Sequence, residues 1–325
     1  MIDQKDVFNE VLAELAVADP RVLALTADMG SRILPDFMRL YPDRTLNFGV
    51  AEQSMLAQAA GLARGGFMPF ATTIAAFISM RAFEQVRTDI GYPGLNVKIV
   101  GTGSGLAYGT LGPTHFALED VALLRTIPNL TILCPADGPE TAWALRAAYD
   151  IEGPVYIRLD RGKVPSVYAD ADSALGEHRV GRADWVSDDG GRERVDVCLI
   201  ATGVMAHEAL LADARLADEG IMASVVNMHT LKPLDEEAVV RASRRSRGLV
   251  TVEDHTVIGG LGSAVATCLA THPRAEHRPL RILGVPDLFP HLTDDADGLR
   301  AAYGLNAEGI ARAARELLLL AHLTD

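Results

Sequence analysis

A single carboxylate, Glu52, stands in the stretch TLNFGVAEQSMLAQAAGLARGG (residues 45–66), where an extended segment turns into a helix of small residues. Leu46, Phe48 and Val50 alternate with Asn47 and Gly49 as in a half-buried strand, and Met55, Leu56, Ala59, Ala60 and Leu62 then recur at helical spacing. Glu52 is therefore expected in the first turn of a helix packed on a sheet. An acid there interacts favourably with the helix dipole whatever else it does. Its neighbours argue for more. Gly49, Ala51, Ala57, Ala59, Ala60 and Gly61 leave room for another backbone or a ligand, and the apolar segment PFATTIAAFISM follows at 69–80. A carboxyl desolvated there is expected to have a raised pKa and to carry a proton near neutral pH. The second candidate is the loop GTGSGLAYGTLGPTHFALED (101–120), which follows a strand and ends at a helix with acids in its first turn. Ligands of open α/β sheets bind at such positions, although the glycines alone are a weak sign. Pro113 stiffens the turn that carries His115. Taken alone, such a histidine is more often structural than catalytic.

The elements that must position these residues alternate regularly. Helices are expected at 4–18, 31–40, from Glu52 onward, at 76–91, 119–126 and 138–149, with strands at 21–28, around 46–50, at 68–72, and at NVKIVGTG, LTILCPAD and PVYIRLD. Such alternation predicts a doubly wound, mostly parallel sheet. After Arg161 the text becomes rich in Asp, Gly, Ser and Arg and loses periodicity, as a linker with a hairpin would. The alternation resumes near Val195 with VDVCLIATG, a helix at 206–219, ASVVNMHTLKP, a helix at 235–245, GLVTVED, a helix at 261–271, LRILGVPD and a last helix at 307–321. The expectation is an α/β protein of two doubly wound domains, 1–170 and 194–325, joined by a linker at 171–193.

The 325 residues, 49% of them hydrophobic, suffice for two domains with large cores. No apolar run is long enough to span a membrane and the N-terminus has no basic n-region, so a cytoplasmic location is expected. Cys134, Cys198 and Cys268 are odd in number and set in apolar runs, as buried reduced thiols are, and imply no metal or disulfide framework. A formal charge of -13 argues against nucleic-acid or anionic-membrane partners, and an anionic substrate would have to meet a local basic cluster.

These segments, taken in order, resemble the transketolase family. FGVAEQ, FATTIAAFISMRAFEQVRTD, GPTH, ALED, IPNLTILCPAD and YIRLDRG are similar to its pyrimidine-binding domain, and ATGVMAHEAL, NMHTLKPLD and TVEDHTVIGGLGSAV to its C-terminal domain. The resemblance is nearest to the C-terminal subunit of split transketolases. It implies a two-carbon ketol transfer between (phospho)sugars with thiamine diphosphate. It assigns Glu52 to the aminopyrimidine ring, where a carboxyl favours the imino tautomer that removes the C2 proton and yields the ylid. Phe77 falls where the family stacks an aromatic on the pyrimidine; Ile74 and Met80 stand where many members have aromatics. His115 matches a substrate-contacting histidine, and Arg161 an arginine that pairs with a sugar phosphate. Asp28 and Ser31, in TADMGSR, match a segment near the active-site entrance, with an N-cap role for Ser31 almost as natural.

The family's GDG motif and Asn pair, which hold Mg and the diphosphate, have no counterpart in this sequence. The resemblance therefore implies an N-terminal partner subunit that supplies them, with two copies of each chain in a closed assembly. Three loop positions depart from the usual pattern. Leu111 replaces an acid that reads a donor hydroxyl, Phe116 a polar residue, and Gly103 a histidine that helps hold phosphate. A changed donor is the consequence expected. Deoxyxylulose-phosphate synthase is a near alternative, although the arginine usual in its loop is Ser104 here, and the β subunit of 2-oxo-acid dehydrogenases is a more distant one. An interaction subunit that has lost catalysis is the alternative of a different class, against which Glu52, His115 and Arg161 stand.

Overall fold

A computed structural model of the chain describes residues 1–168, 178–187, 194–291 and 293–322. Its fourteen described strands follow in chain order: β1 (Ile2–Asp3), β2 (Val22–Thr26), β3 (Thr45–Asn47), β4 (Met68–Ile74), β5 (Lys98–Thr102), β6 (Thr131–Leu133), β7 (Val155–Leu159), β8 (Lys163–Val164), β9 (Asp184–Trp185), β10 (Val195–Ala201), β11 (Ala223–Asn227), β12 (Thr230–Lys232), β13 (Ser246–Thr256) and β14 (Leu280–Val285). Seven form one sheet in the order β12-β6-β7-β5-β4-β2-β3, and five form another, β14-β13-β10-β11-β9. The pairings are parallel except where β12 and β9 join at one end of each sheet, and β1 pairs antiparallel with β8. The two doubly wound α/β units are those expected from the alternation. VLALT, MPFATTI, KIVGT and VYIRL are apolar runs buried along their whole length, as parallel strands covered by helices on both faces must be.

Several helices match their expected bounds, among them Gln4–Ala18, Glu52–Arg64, Gly138–Asp150 and Leu261–Thr271. Four local readings are corrected. The 31–40 helix is two short ones, Gly30–Ile33 and Pro35–Leu40, since Pro35 has no N–H with which to continue the first. The 46–50 strand is short and ends at Asn47, with Leu46 and Val50 exposed, because β3 lies at the sheet edge and only one neighbour covers it. The 76–91 helix widens into π turns over Phe77–Arg81 and Gln85–Gly91, a local geometry frequent at functional sites. ASVVNMHTLKP, read as one strand, is two strands in different sheets. β11 stays with the second unit, while β12 adds antiparallel to β6 of the first. The chain therefore interlocks across the boundary expected near 194. Of the linker and hairpin expected at 171–193, residues 171–177 and 188–193 lie outside the described residues. The short helix Ala296–Ala302 was not anticipated; Asp295 caps it by accepting from the Gly298 N–H at 2.8 Å. One hydrophobic cluster draws on both units, including Ile99, Tyr156, Cys198, Val226, Leu231 and Val265. The three cysteines are buried, as expected.

Candidate active site

The parallel registers Thr26↔Asn47, Ile74↔Thr102 and Thr102↔Leu159 align the carboxyl ends of β3, β2, β4, β5 and β7 along one rim. The segments that leave this rim carry the candidates: Asp28 and Ser31 after β2, Glu52 after β3, Phe77 and Met80 after β4, Gly103 to His115 after β5, and Arg161 after β7. This is where an open α/β sheet binds ligands.

Glu52 opens its helix and is 1% exposed. Ala51, at the N-cap, makes no side-chain capping bond. The carboxylate instead meets a partner that sequence reading missed, Arg81 on the π-turn segment, whose Nη1 donates to Oε2 at 2.9 Å. The purely apolar surroundings expected for this acid are thus corrected: a counter-ion stands beside it. The Arg81 guanidinium also lies over the Phe77 ring, 4.7 Å from its centroid. Acid, guanidinium and aromatic ring form one stack. Phe77 then meets His115 edge to face at 5.3 Å between centroids, and Ile74 and Met80 pack in the same cluster as Phe77, Tyr108 and Met29.

A cleft of about 360 Å³ lies next to this stack, lined among others by Lys5, Arg32, Ile74, Gly103, Tyr108, Leu111, His115 and Arg161. It brings together five of the predicted residues: Ile74, Gly103, Leu111, His115 and Arg161. Asp28 and Ser31 are exposed and do not line it; their neighbours Met29, Arg32 and Ile33 do. Nor does Ser31 cap a helix, since Met29 occupies the N-cap position. Asp28 instead holds a positive φ of 58°, and its backbone N–H donates to Asn47 Oδ1 at 3.0 Å. The basic cluster that an anionic ligand requires is present as Lys5, Arg32 and Arg161, set in a chain of formal charge -13.

Tyr108 is the second residue that sequence reading missed. A side chain at Gly103, where φ is +70°, would place its Cβ 2.1 Å from the Tyr108 ring. The space a histidine would occupy is therefore filled by a phenol. Burial raises the Tyr108 pKa against the pull of Arg161 and Arg32. Arg161 lies over its ring, 4.9 Å from the centroid, and His115 tilts against it at 5.4 Å. His115 Nδ1 lies 2.9 Å from Thr114 Oγ1. Leu111 is 52% exposed at the cleft wall, whereas Phe116 is 3% exposed and belongs to the core cluster of Leu106 and Leu118. The Phe116 departure is thus a matter of packing.

The loop floor is held from the second unit. The Leu106 N–H donates to both carboxylate oxygens of Asp254, at 3.1 and 3.2 Å, and Gly105 lies so close that a Cβ would come within 2.2 Å of that carboxyl carbon. Arg300, on the unanticipated helix, donates to Asp254 Oδ2 at 2.9 Å and to Asp160 Oδ2 at 2.5 Å, beside Arg161. Burial would lower the Arg300 pKa, but Asp160 and Asp254 hold it above its ordinary value. Behind them Arg158 donates to Asp120 at 2.8 Å and to the carbonyls of Ala117 and Asp254. Asp254 stands in TVEDH, so a charge at the end of an apolar strand was the available signal. Nothing in the sequence around Arg300 signals its role.

Residues 1–167 match the family model "Transketolase, pyrimidine binding domain", and residues 190–310 match "Transketolase, C-terminal domain". The chain is 41% identical over 314 residues to the 6-deoxy-6-sulfo-D-fructose transketolase subunit of Clostridium sp. (strain MSTE9), with 96% of this chain and 94% of the relative covered. It is 37% identical over 319 residues to an apulose-4-phosphate transketolase subunit of Phocaeicola vulgatus, with 98% of each covered. A solved structure described as a split gene transketolase, an inactive β4 tetramer, superposes with a TM-score of 0.86 at 39% identity, covering 98% of this chain and 99% of that one. With both domains matched in order and relatives of the same extent, the chain belongs to the transketolase family, as the subunit of a split transketolase that carries the pyrimidine-binding and C-terminal domains.

Proposed function

We propose that this chain supplies the pyrimidine side of a thiamine-diphosphate site, and that the assembled enzyme transfers a ketol unit between sugars with anionic termini. The observation that carries the reading is the stack of Glu52, Arg81, Phe77 and His115 beside a basic cleft. A buried acid able to hydrogen-bond a heteroaromatic ring, next to an aromatic wall, suits an aminopyrimidine. When bound, thiamine diphosphate supplies the nucleophilic carbon and electron sink for the two-carbon unit. Glu52 holds a proton at the ring nitrogen, and in doing so exchanges Arg81 for the ring. Phe77, Ile74 and Met80 cover the ring face and exclude water. His115 faces substrate hydroxyls from the wall of the cleft. Arg161, with Arg32 and Lys5, binds the anionic end, and the planar guanidinium suits a phosphate or sulfonate.

Mg and the diphosphate belong, in this reading, to an N-terminal partner subunit, with two copies of each chain in the assembly. The solved relative titled an inactive β4 tetramer supports the need for a partner. Relatives named for a sulfonated ketose and a phosphorylated sugar support an anionic substrate. With Tyr108 in the place of the loop histidine and Leu111 in that of the acid, ordinary xylulose 5-phosphate is a poor donor. The test is kcat/KM for a panel of phosphorylated, sulfonated and neutral ketoses with both subunits present. Anionic ketoses are expected to lead, and Arg161→Ala to raise KM more than it lowers kcat. Equal turnover of neutral ketoses, unaffected by Arg161→Ala, would overturn the reading.

A further inference from the structure

Away from this cleft, four side chains of metal-binding type meet in the interior where three segments join. Glu140 comes from the Gly138–Asp150 helix, His178 from the segment before β9, Asp184 from the first position of β9, and His229 from the turn between β11 and β12. One ligand-type atom from each lies within 4.8 Å of the other three. His178 Nδ1 is 2.5 Å and His229 Nε2 3.9 Å from Asp184 Oδ2, and His178 Nε2 is 3.9 Å from Glu140 Oε1. The side chains of Glu140 and His229 are fully buried, His178 is 3% exposed and Asp184 22%. His178 Nδ1 faces Asp184, and its Nε2 is buried without a hydrogen-bond partner.

The surroundings aim these groups at one another. His229 Nδ1 lies 2.9 Å from Thr230 Oγ1, which leaves Nε2 turned to the cluster. Glu140 accepts from the Ala136 N–H at 2.6 Å and from Asn227 Nδ2 at 2.9 and 3.0 Å. Asp184 accepts from the Tyr168 hydroxyl at 2.7 Å. Outer contacts of this kind orient metal ligands. Glu140 is wholly buried and Asp184 largely so, and with the two imidazoles they offer a cation two oxygen and two nitrogen donors. Donors around a tetrahedral ion with bonds of ~2.1 Å stand roughly 3.4 Å apart, so the two 3.9 Å spacings would close by about 0.5 Å and the 2.5 Å spacing would open by about 0.9 Å.

We infer that Glu140, His178, Asp184 and His229 form a structural site for a divalent first-row transition ion of the zinc class, which staples the inter-unit connection to both units. Two imidazoles and two carboxylates suit zinc, and no open position is needed for this role. The ion takes no part in ketol transfer.

The experiment uses the full chain, prepared with and without chelator and assayed by elemental analysis and thermal unfolding. The chain prepared without chelator is expected to carry about one equivalent of zinc or a related ion, and chelation to lower its Tm by several degrees, reversed by one equivalent of zinc. Cobalt(II) in place of zinc should give the visible d–d bands of a low-coordinate nitrogen and oxygen site. Asp184→Asn and His229→Gln should each cut zinc uptake at least ~10-fold and abolish the Tm response, whereas the exposed control His291→Gln should retain both. Should a variant fail to fold, the chelated wild type still decides. If it takes up less than about a tenth of an equivalent of zinc, cobalt or manganese, and its Tm is the same with and without them, the four residues are a hydrogen-bonded acid–imidazole network and the proposal fails.

Discussion

Glu52 and Arg81 form an ion pair in which the acid is buried and the arginine side chain is 47% exposed. Such a pair keeps the carboxylate compensated in the free chain, and the exposed partner is the one able to swing away. Glu52→Gln keeps the shape and removes the proton transfer proposed for this residue, so turnover of the reconstituted enzyme is expected to fall ~10²- to 10⁴-fold with little change in Tm. Near wild-type turnover in a folded variant would remove Glu52 from its role. At the cleft wall, Leu111 cannot accept a hydrogen bond. Because it is half exposed, a hydroxyl beside it keeps part of its hydration in the free chain. The penalty against an ordinary donor therefore falls at or below the lower end of the ~1–3 kcal/mol that an unpaired buried hydroxyl costs. Leu111→Asp should then improve kcat/KM for xylulose 5-phosphate by no more than about tenfold. Absence of any gain would mark the substitution as neutral.

The helix Ala296–Ala302 and strand β13 matter through the charges they bring to the loop floor. Arg300→Met leaves Asp160 and Asp254 buried without their common cation. Loss of one partner from such a site costs roughly 3–5 kcal/mol, so denaturant unfolding should show a drop of that order, with KM for an anionic donor rising because Asp160 adjoins Arg161. Unchanged stability would mean that the contact carries nothing. On the same strand, His255 Nδ1 donates to the Thr256 carbonyl at 2.7 Å and Nε2 accepts from the Ala122 N–H at 3.3 Å, a neutral tautomer with both nitrogens used. Burial, opposed by Asp120, lowers its pKa to about 4. The unfolded chain therefore binds the proton more tightly. The stability this histidine contributes is fully present above pH ~6.5 and is lost as pH falls through about 4. Its neighbour Glu253 acts in the opposite sense. Burial raises its pKa to about 7, so its contribution is present below the ordinary carboxyl range and is lost as pH rises through about 7. His255→Gln should flatten the acid limb of the stability–pH curve by an amount on the order of 3 kcal/mol between pH 6.5 and 4. An unaltered limb would show that the ring titrates normally.

On the scale of the whole molecule, half of the cofactor's contacts lie outside this chain in the proposed reading. Calorimetry with Mg and thiamine diphosphate should therefore detect weak or no binding by the chain alone and tight binding once the partner is added. Tight binding by the isolated chain would defeat the divided site. Light scattering should show self-association of the free chain replaced by a closed assembly with two copies of each subunit. A stable and fully active one-to-one complex would contradict this.

Sequence by itself determined the α/β alternation and placed the candidates Glu52, Phe77, His115 and Arg161 on segments that leave the carboxyl ends of strands, because apolar period and strand–turn–helix order are local properties of the chain. Tertiary structure alone decided which distant groups meet. Arg81 reaches Glu52 across 29 residues of sequence, and Arg300 bridges Asp160 and Asp254 from 140 and 46 residues away. Tyr108 lies five positions past Gly103, and only the folded loop shows that its ring fills the space that a larger residue there would need. β12 left its apparent partner β11 for the other sheet, since an edge with unpaired N–H and C=O groups accepts a strand from wherever the chain brings one. Periodicity reports which face of an element is buried. The groups that the face meets are set by how the sheets stack, and that is written in no local pattern.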